Sequence, residues 1–353
     1  MHAKYERMID NIRIRNYKSI VDTTLDLGRF NVIIGTNGCG KSNVLEAITM
    51  ASAASQNKLE TEFLLNRNIR VTDPAFMTNA FDDVEYNNEH IYINIKADQD
   101  YRYDLFYQEK TKIWQNYIEE TENNKKGHFI FIFSPDGLSS YLTYRPEEKL
   151  LREVKDSPIY PLGIRGEGLM QYLKEISSKE EYKELFVKIN NGLKMLDWFD
   201  GFNIPDGLLT NEYKLAIGDK YLKDSLHSFD QRSTNEGFLY LLFYLTLFNS
   251  QDTPQFFAVD NIETSFNPGL CQSLTRYLVK TAKENDKQVI LTTHNPFVLD
   301  GIDLADDEVR LFVCRRDIDG HTKIERVKYR EDRKMSLSEL WMSGLIGALP
   351  DNF

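Results

Sequence analysis

Residues 35–42 read Gly35-Thr36-Asn37-Gly38-Cys39-Gly40-Lys41-Ser42, the pattern G-x-x-x-x-G-K-S. The stretch directly follows an apolar run, Phe30 to Ile34, and directly precedes a helical pattern, the context in which this spacing forms a phosphate-binding loop. Glycines at these positions let backbone N–H groups converge on phosphate oxygens, and the N-terminus of the following helix adds partial positive charge. Lys41 is expected to reach the β- and γ-phosphates of a nucleoside triphosphate, and Ser42 to ligate Mg²⁺. The expected ligand is ATP with Mg²⁺, contacted along Asn37, Gly38, Cys39, Gly40, Lys41, Ser42 and Asn43.

A metal at that position needs a second ligand from the end of a neighbouring strand. Two aspartates follow apolar runs. Asp136 follows Phe129–Phe133, but Pro135 before it and Gly137 after it read as a turn. Asp260 ends Phe256-Phe257-Ala258-Val259, whose four apolar residues imply a buried strand with the carboxylate at its C-terminal tip. Asp260 is therefore the expected second Mg²⁺ ligand. Val289-Ile290-Leu291-Thr292-Thr293-His294 is a further apolar strand with a polar tip. His294 alone of the six histidines has this position, from which an imidazole can contact a γ-phosphate. The turn Ser233-Thr234-Asn235-Glu236-Gly237 opens the apolar run Phe238–Phe248. Such a turn is either an anion site at a helix N-terminus or a simple N-cap by Ser233 or Asn235. There is no HExxH pair, so bound zinc is not expected.

The elements that must position these groups follow from periodicity. Residues 11–34 alternate as β-structure, and Ser42–Ala54 puts Val44, Leu45, Ile48 and Ala51 on one helical face. Residues 91–134 read as a meander of four strands, with a turn at Asn123–Gly127. From about 145 to 248 the spacing is helical, and 254–335 returns to α/β, with strands FFAVD, QVILTTH and RLFVCR around a helix near 268–285. The expected fold is an α/β P-loop ATPase head. Its nucleotide-binding lobe comes from residues 1–136 and 251–353, and a mainly helical lobe is inserted at 137–250.

The whole-chain balance excludes several classes. The 353 residues carry 43 Lys and Arg against 54 Asp and Glu, a net charge of −11, so a wholly basic nucleic-acid coat is ruled out. Cys39, Cys271 and Cys314 are odd in number and far apart, which argues against a disulfide framework and for a reducing, cytoplasmic setting. The N-terminal MHAKYERMID has no apolar leader run, and Phe238–Phe248 is about half the length that spans a bilayer. The segment 314–334 is locally basic but diluted by acidic residues; it reads either as a solvated hairpin face or as a contact for nucleic acid or a partner.

The order P-loop, long insertion, polar-glycine turn with apolar helix, strand-end Asp and strand-end His resembles the ABC-type ATPases. The opening IRIRNYKSI…LDLGRFNVIIGTNGCGKSN is similar to the branch holding RecF, SMC heads and OLD-type proteins. That resemblance implies that Asn235-Glu236-Gly237 is the signature turn, which completes the ATP site of a second subunit, so a homo-oligomer of ATP-sandwich dimers is expected. Asn235 stands where the family commonly has Ser. Asn261 stands where it has the Glu that assists the attacking water, so turnover is expected to be slow. Glu263 matches a second acidic position of OLD-like relatives. Gln108, at a strand end, is a candidate for the Q-loop glutamine, and Arg67 and Arg70 are candidates to face the nucleotide.

The phrases FDQRSTNEGFLYLLFYL, FFAVDNIETSFNP, LTTHNPFVLDGIDL and GLIGALPDNF resemble the ATPase subunit (PtuA) family of Septu-type phage defence, also found with some retrons. This implies an antiviral complex in which ATP-dependent association regulates a separate HNH nuclease. A RecF-like repair or chromosome-maintenance ATPase and a non-hydrolysing ATP-bound scaffold remain alternatives. An OLD-type nuclease does not fit, because only about 30 residues follow the last expected strand, too few for a Toprim domain.

Overall fold

The computed structural model describes residues 8–81, 89–120, 137–153, 155, 157–223, 225–331 and 334–347. The expected strand Phe129–Phe133, the turn before it and Asp136 lie outside them, as does the final stretch of the chain.

Thirteen strands occur among the described residues: β1 (Asn11–Tyr17), β2 (Ile20–Asp26), β3 (Phe30–Gly35), β4 (His90–Lys96), β5 (Asp100–Gln108), β6 (Ile113–Glu120), β7 (Leu142–Tyr144), β8 (Phe199–Asn203), β9 (Ala216–Asp219), β10 (Phe256–Val259), β11 (Gln288–Thr293), β12 (Val309–Arg316) and β13 (Thr322–Val327). The α-helices are α1 (Lys41–Ser55), α2 (Thr61–Leu65), α3 (Pro74–Met77), α4 (Glu148–Arg152), α5 (Leu169–Ser177), α6 (Lys183–Leu193), α7 (Glu236–Asn249), α8 (Pro268–Glu284) and α9 (Leu337–Met342).

Two large sheets carry the architecture. One is antiparallel, in the order β2-β1-β4-β5-β6; the other runs β13-β12-β3-β11-β10-β7, parallel throughout except for β13. Strand side chains alternate in direction, so a sheet covered on both faces feeds two cores. In β3, Ile33 joins the core that holds α1 and the antiparallel sheet, while Val32 and Ile34 join the core that holds the later helices. Ile290 in β11 divides from Val289 and Leu291 in the same way. The layers are therefore antiparallel sheet, α1, parallel sheet, helices.

Helix α1 is buried almost all round, because it lies between two sheets. Its apolar stripe alone did not reveal this. Ala47, Ala51, Ala53 and Ala54 are small enough for backbone to approach from both sides. Helix α7 is likewise buried from Gly237 to Asn249, which accounts for its unbroken apolar run. No described helix is long and apolar enough to cross a membrane.

The segment 137–250 supplies α4 to α7, as its helical spacing suggests, but three strands also lie within it. β8 and β9 form a small antiparallel pair, and β7 is an edge strand of the parallel sheet beside β10. Three residues are too few to show a period, so β7 leaves no trace in the sequence pattern.

Candidate functional site

The glycine-rich loop joins β3 to α1, and its backbone angles explain its composition. Gly38 and Gly40 have φ of 76° and 115°. A Cβ on Gly40 would sit 2.2 Å from Thr322 Oγ1, so both the angle and the space require glycine. Thr322, at the start of β13, also donates to the Cys39 carbonyl at 2.8 Å. Ser19 lies 2.7 Å from Thr322 Oγ1 and accepts from Asn43 Nδ2 at 2.7 Å. Arg316 Nε donates to the Gly38 carbonyl at 3.0 Å. The hairpin β12–β13 thus braces the loop from behind. This is the basic segment of the sequence, and two of its cations are paired within it: Arg315 with Glu325 at 2.6 Å, and Lys323 at 3.6 Å from Asp317. Arg316, in this segment, supports the loop, a role that the sequence did not suggest.

The buried Lys41 ammonium donates to the carbonyls of Gly35 at 2.8 Å and Thr36 at 3.0 Å, inside the loop. Cys39 and Cys314 are both buried and their thiols are hydrogen-bonded. That bond, with the charge of Lys41, pulls the Cys39 thiol below its ordinary pKa against the effect of burial, and Cys314 is pushed up.

The parallel order β3-β11-β10 brings three strand tips together. Ser42 Oγ, in the first turn of α1, lies 3.3 Å from Asp260 Oδ2. Asp260 Oδ1 accepts from Thr292 Oγ1 at 2.5 Å, and that same hydroxyl accepts the Asn261 N–H at 2.9 Å. Thr292 therefore locks the two residues after β10 to the tip of β11. Sequence reading passed over it, although its place two residues before His294 is a signal in retrospect. Asn261 has φ of 58°, a left-handed conformation that Asn tolerates better than most side chains.

Glu263 Oε1 accepts the His294 N–H at 2.9 Å, and Oε2 is buried with no partner. His294 is exposed on one side. Desolvation on the other side, then the charge of Lys41, lower its pKa against the pull of Glu263 and Asp260, so the imidazole is neutral at pH 7. Asp260, Asn261, Glu263 and His294 thus share one rim with Ser42.

Two cavities flank the N-terminal turn of α1. One, of about 320 Å³, is lined by Ser42, Asp260, Thr143, Arg67, Arg70 and Arg145 among others. The second, of about 450 Å³, meets Asn43, Ser19, Lys18, Phe76, Phe81 and Arg316. Ser42 and Asn43 are consecutive in the helix and so point about 100° apart, which sends them to different sides. Arg67 faces the first cavity, and Arg70 lines both. Burial lowers the Arg67 pKa to about 10; its guanidinium stacks 3.5 Å from the Phe63 ring centre and Nε has no partner. Arg70 is held by Glu46 at 2.5 Å and Asn43 at 2.7 Å.

Gln108 and the turn Asn235–Gly237 line neither of these cavities. Gln108 closes the β5–β6 turn, where its carbonyl accepts from Thr111 and Lys112. The polar-glycine turn opens α7, and Asn235 Oδ1 accepts the Phe238 N–H at 2.9 Å. Asn235 is thus an N-cap, as its residue type allows; it is exposed and its amide N–H₂ has no partner among the described residues. Glu236 is exposed beside it, and Gly237 lies against the loop after β10, where a Cβ would meet the Ser265 carbonyl at 3.3 Å.

The loop, the buried ammonium and the Ser42–Asp260 pair fit a phosphate chain with a divalent cation, since a hydroxyl and a carboxylate at this separation are hard oxygen donors of the kind Mg²⁺ prefers. Residues 8–136 match the family model of an AAA ATPase domain, and residues 216–300 match that of an AAA domain described as putative AbiEii toxin, Type IV TA system. No curated protein is a significant match. Among solved structures, an SMC head bound to the C-winged helix domain of ScpA is similar with a TM-score of 0.60 at 14% identity, over 91% of this chain and 98% of that one. An SMC head domain with an extended coiled coil, bound to the C-terminal domain of ScpA derived from Pyrococcus furiosus, gives 0.60 at 12% identity, over 96% and 99%. The first matched segment ends where the inserted residues begin and the second takes in their last part, 216–250; the chain has the mixed α/β fold of these SMC heads.

Proposed function

We propose that this chain binds Mg-ATP between the glycine-rich loop and the tips of β10 and β11, pairs with a second copy through the nucleotide, and regulates a partner HNH nuclease in a Septu-like antiviral complex. The observation that carries the nucleotide site is the 3.3 Å approach of Ser42 Oγ to Asp260 Oδ2 beside the buried Lys41. In this reading Ser42 and Asp260 hold the metal, which draws charge from the terminal phosphates. Lys41 and the N–H groups of residues 37–43 hold the phosphate chain. Asn43 marks its inner end, so the nucleoside lies in the cavity of Phe76 and Phe81, and Arg67 faces the outer end. His294 donates to the terminal phosphate.

The turn at Asn235 lines neither cavity of its own subunit, which supports a role across a dimer. Its free amide N–H₂ is a suitable donor to a phosphate there. The similar SMC heads are each solved with a domain of ScpA, which supports a protein partner for this head as well. The nuclease and the defence role rest on the sequence resemblance. Asn261 favours a second reading, an ATP-held scaffold, because an amide orients water but accepts no proton.

Calorimetry on Lys41→Ala tests the site. Loss of a charge-assisted contact of about 1.5–3 kcal/mol weakens ATP binding roughly ten- to hundred-fold. Unchanged affinity removes the reading.

A further inference from the structure

The strand β7 ends beside the tip of β10: the Asp260 N–H donates to the Tyr144 carbonyl at 2.9 Å. The next residue is Arg145, whose backbone N–H is held by the Ile164 carbonyl at 2.8 Å. Its exposed side chain lines the 320 Å³ cavity together with Ser42 and Asp260. The Arg145 guanidinium has no hydrogen bond and no ion pair with any described residue.

The charges around that cavity do not balance. Glu46 is already engaged by Lys18 and Arg70. Asp260 is tied to Ser42 and Thr292. Arg67 and Arg145 are left without carboxylate partners, and the buried Arg67 Nε is unsatisfied. Two uncompensated guanidinium groups facing one small cavity call for an anion. A guanidinium offers five N–H donors and no lone pair, so Arg145 cannot ligate a metal; at this strand tip it supplies charge.

We propose that Arg145 is a specificity-determining residue that binds the terminal phosphate of the nucleotide and makes the site prefer a nucleoside triphosphate to a diphosphate. The inference rests on the nucleotide site proposed above. The orientation follows from that site: Ser42 and Asp260 mark the metal end of the phosphate chain, and Asn43 marks the nucleoside end, on the other side of α1. A residue at the tip of β7 reaches only the metal end, where ATP carries one more phosphate than ADP.

The test is calorimetry of Mg-ATP and Mg-ADP with the full chain and with Arg145→Ala, Arg145→Lys and Lys41→Ala. Arg145→Ala is expected to weaken ATP roughly ten- to hundred-fold and ADP by less than about three-fold. Arg145→Lys, which keeps the charge, recovers most of the ATP affinity, a rescue that a merely structural residue would not show. Lys41→Ala weakens both nucleotides. Equal weakening of ATP and ADP in Arg145→Ala, or no change in either, overturns the inference while leaving the nucleotide site in place. Failure of the unmutated chain to bind either nucleotide overturns both. If Arg145→Ala melts early, Arg145→Gln decides: an ATP-to-ADP affinity ratio equal to that of the unmutated chain refutes the assignment.

Discussion

Replacing Thr292 by Val removes one oxygen and leaves the side-chain shape nearly intact. In the folded chain that oxygen donates to Asp260 Oδ1 at 2.5 Å and accepts the Asn261 N–H at 2.9 Å, and Thr292 is fully buried. The first bond has an ionised acceptor and is worth about 1.5–3 kcal/mol; leaving the partly buried Asn261 N–H without its acceptor adds about 1 kcal/mol. A total near 3 kcal/mol is expected. Taking an unfolding entropy of ~2.1 cal/mol/K per residue over 353 residues, each kcal/mol shifts the melting temperature by about 1.4 °C, so Thr292→Val should melt about 4 °C lower. Asp260 also loses the contact that fixes its carboxylate toward Ser42, so Mg-ATP affinity should fall about ten-fold, close to 1.4 kcal/mol. Thr292→Ser keeps the hydroxyl and loses one methyl, worth about 0.8 kcal/mol, and should stay near the parent in both measurements. Scanning calorimetry gives the melting shift and titration calorimetry the affinity. A Thr292→Val chain that melts within about 1 °C of the parent and binds Mg-ATP unchanged would refute the claim that this hydroxyl organises the two strand tips.

Asn235→Asp keeps an N-cap of equal quality, so the melting temperature should hold. It replaces the free amide donor by a carboxylate, so ATP-dependent association should be lost; light scattering identical to the parent's removes Asn235 from the shared site. Asn261→Glu places a carboxylate where the resemblance expects a base and should raise single-turnover hydrolysis by up to about 10²-fold. It should also cost about 1 kcal/mol of stability, because φ at this position is 58° and Glu tolerates it less well than Asn. Fast hydrolysis in the parent that collapses in Glu263→Gln would make Glu263 the working base and end the argument from Asn261.

Several parts of this site were legible in the sequence because each depends on a short contiguous run. The loop Gly35–Ser42 needs only its glycines and the strand and helix on either side. Asp260 and His294 stand at the ends of apolar runs long enough to mark buried parallel strands, and parallel strands of one sheet carry their C-terminal tips to one edge. The cap at Asn235 follows from residue type at the start of an apolar helix. These are local signals, and local preference agreed with tertiary placement.

What only the tertiary structure decided is which distant residues share that edge. β7 is three residues long and shows no period, so nothing local marked Arg145 as a neighbour of Asp260, more than a hundred positions later. Gln108 stands at the end of a well-formed strand, but that strand belongs to the antiparallel sheet, and its end closes a hairpin. Thr322, Ser19 and Arg316 brace the glycine-rich loop through hydroxyl and guanidinium contacts that depend on strand order. Side-chain periodicity tells which face of an element is buried; it carries no information about which strand lies alongside. Strand order is settled by how the two sheets pack on either side of α1, and from that packing come the bracing of the loop and the cationic cavity at its metal end.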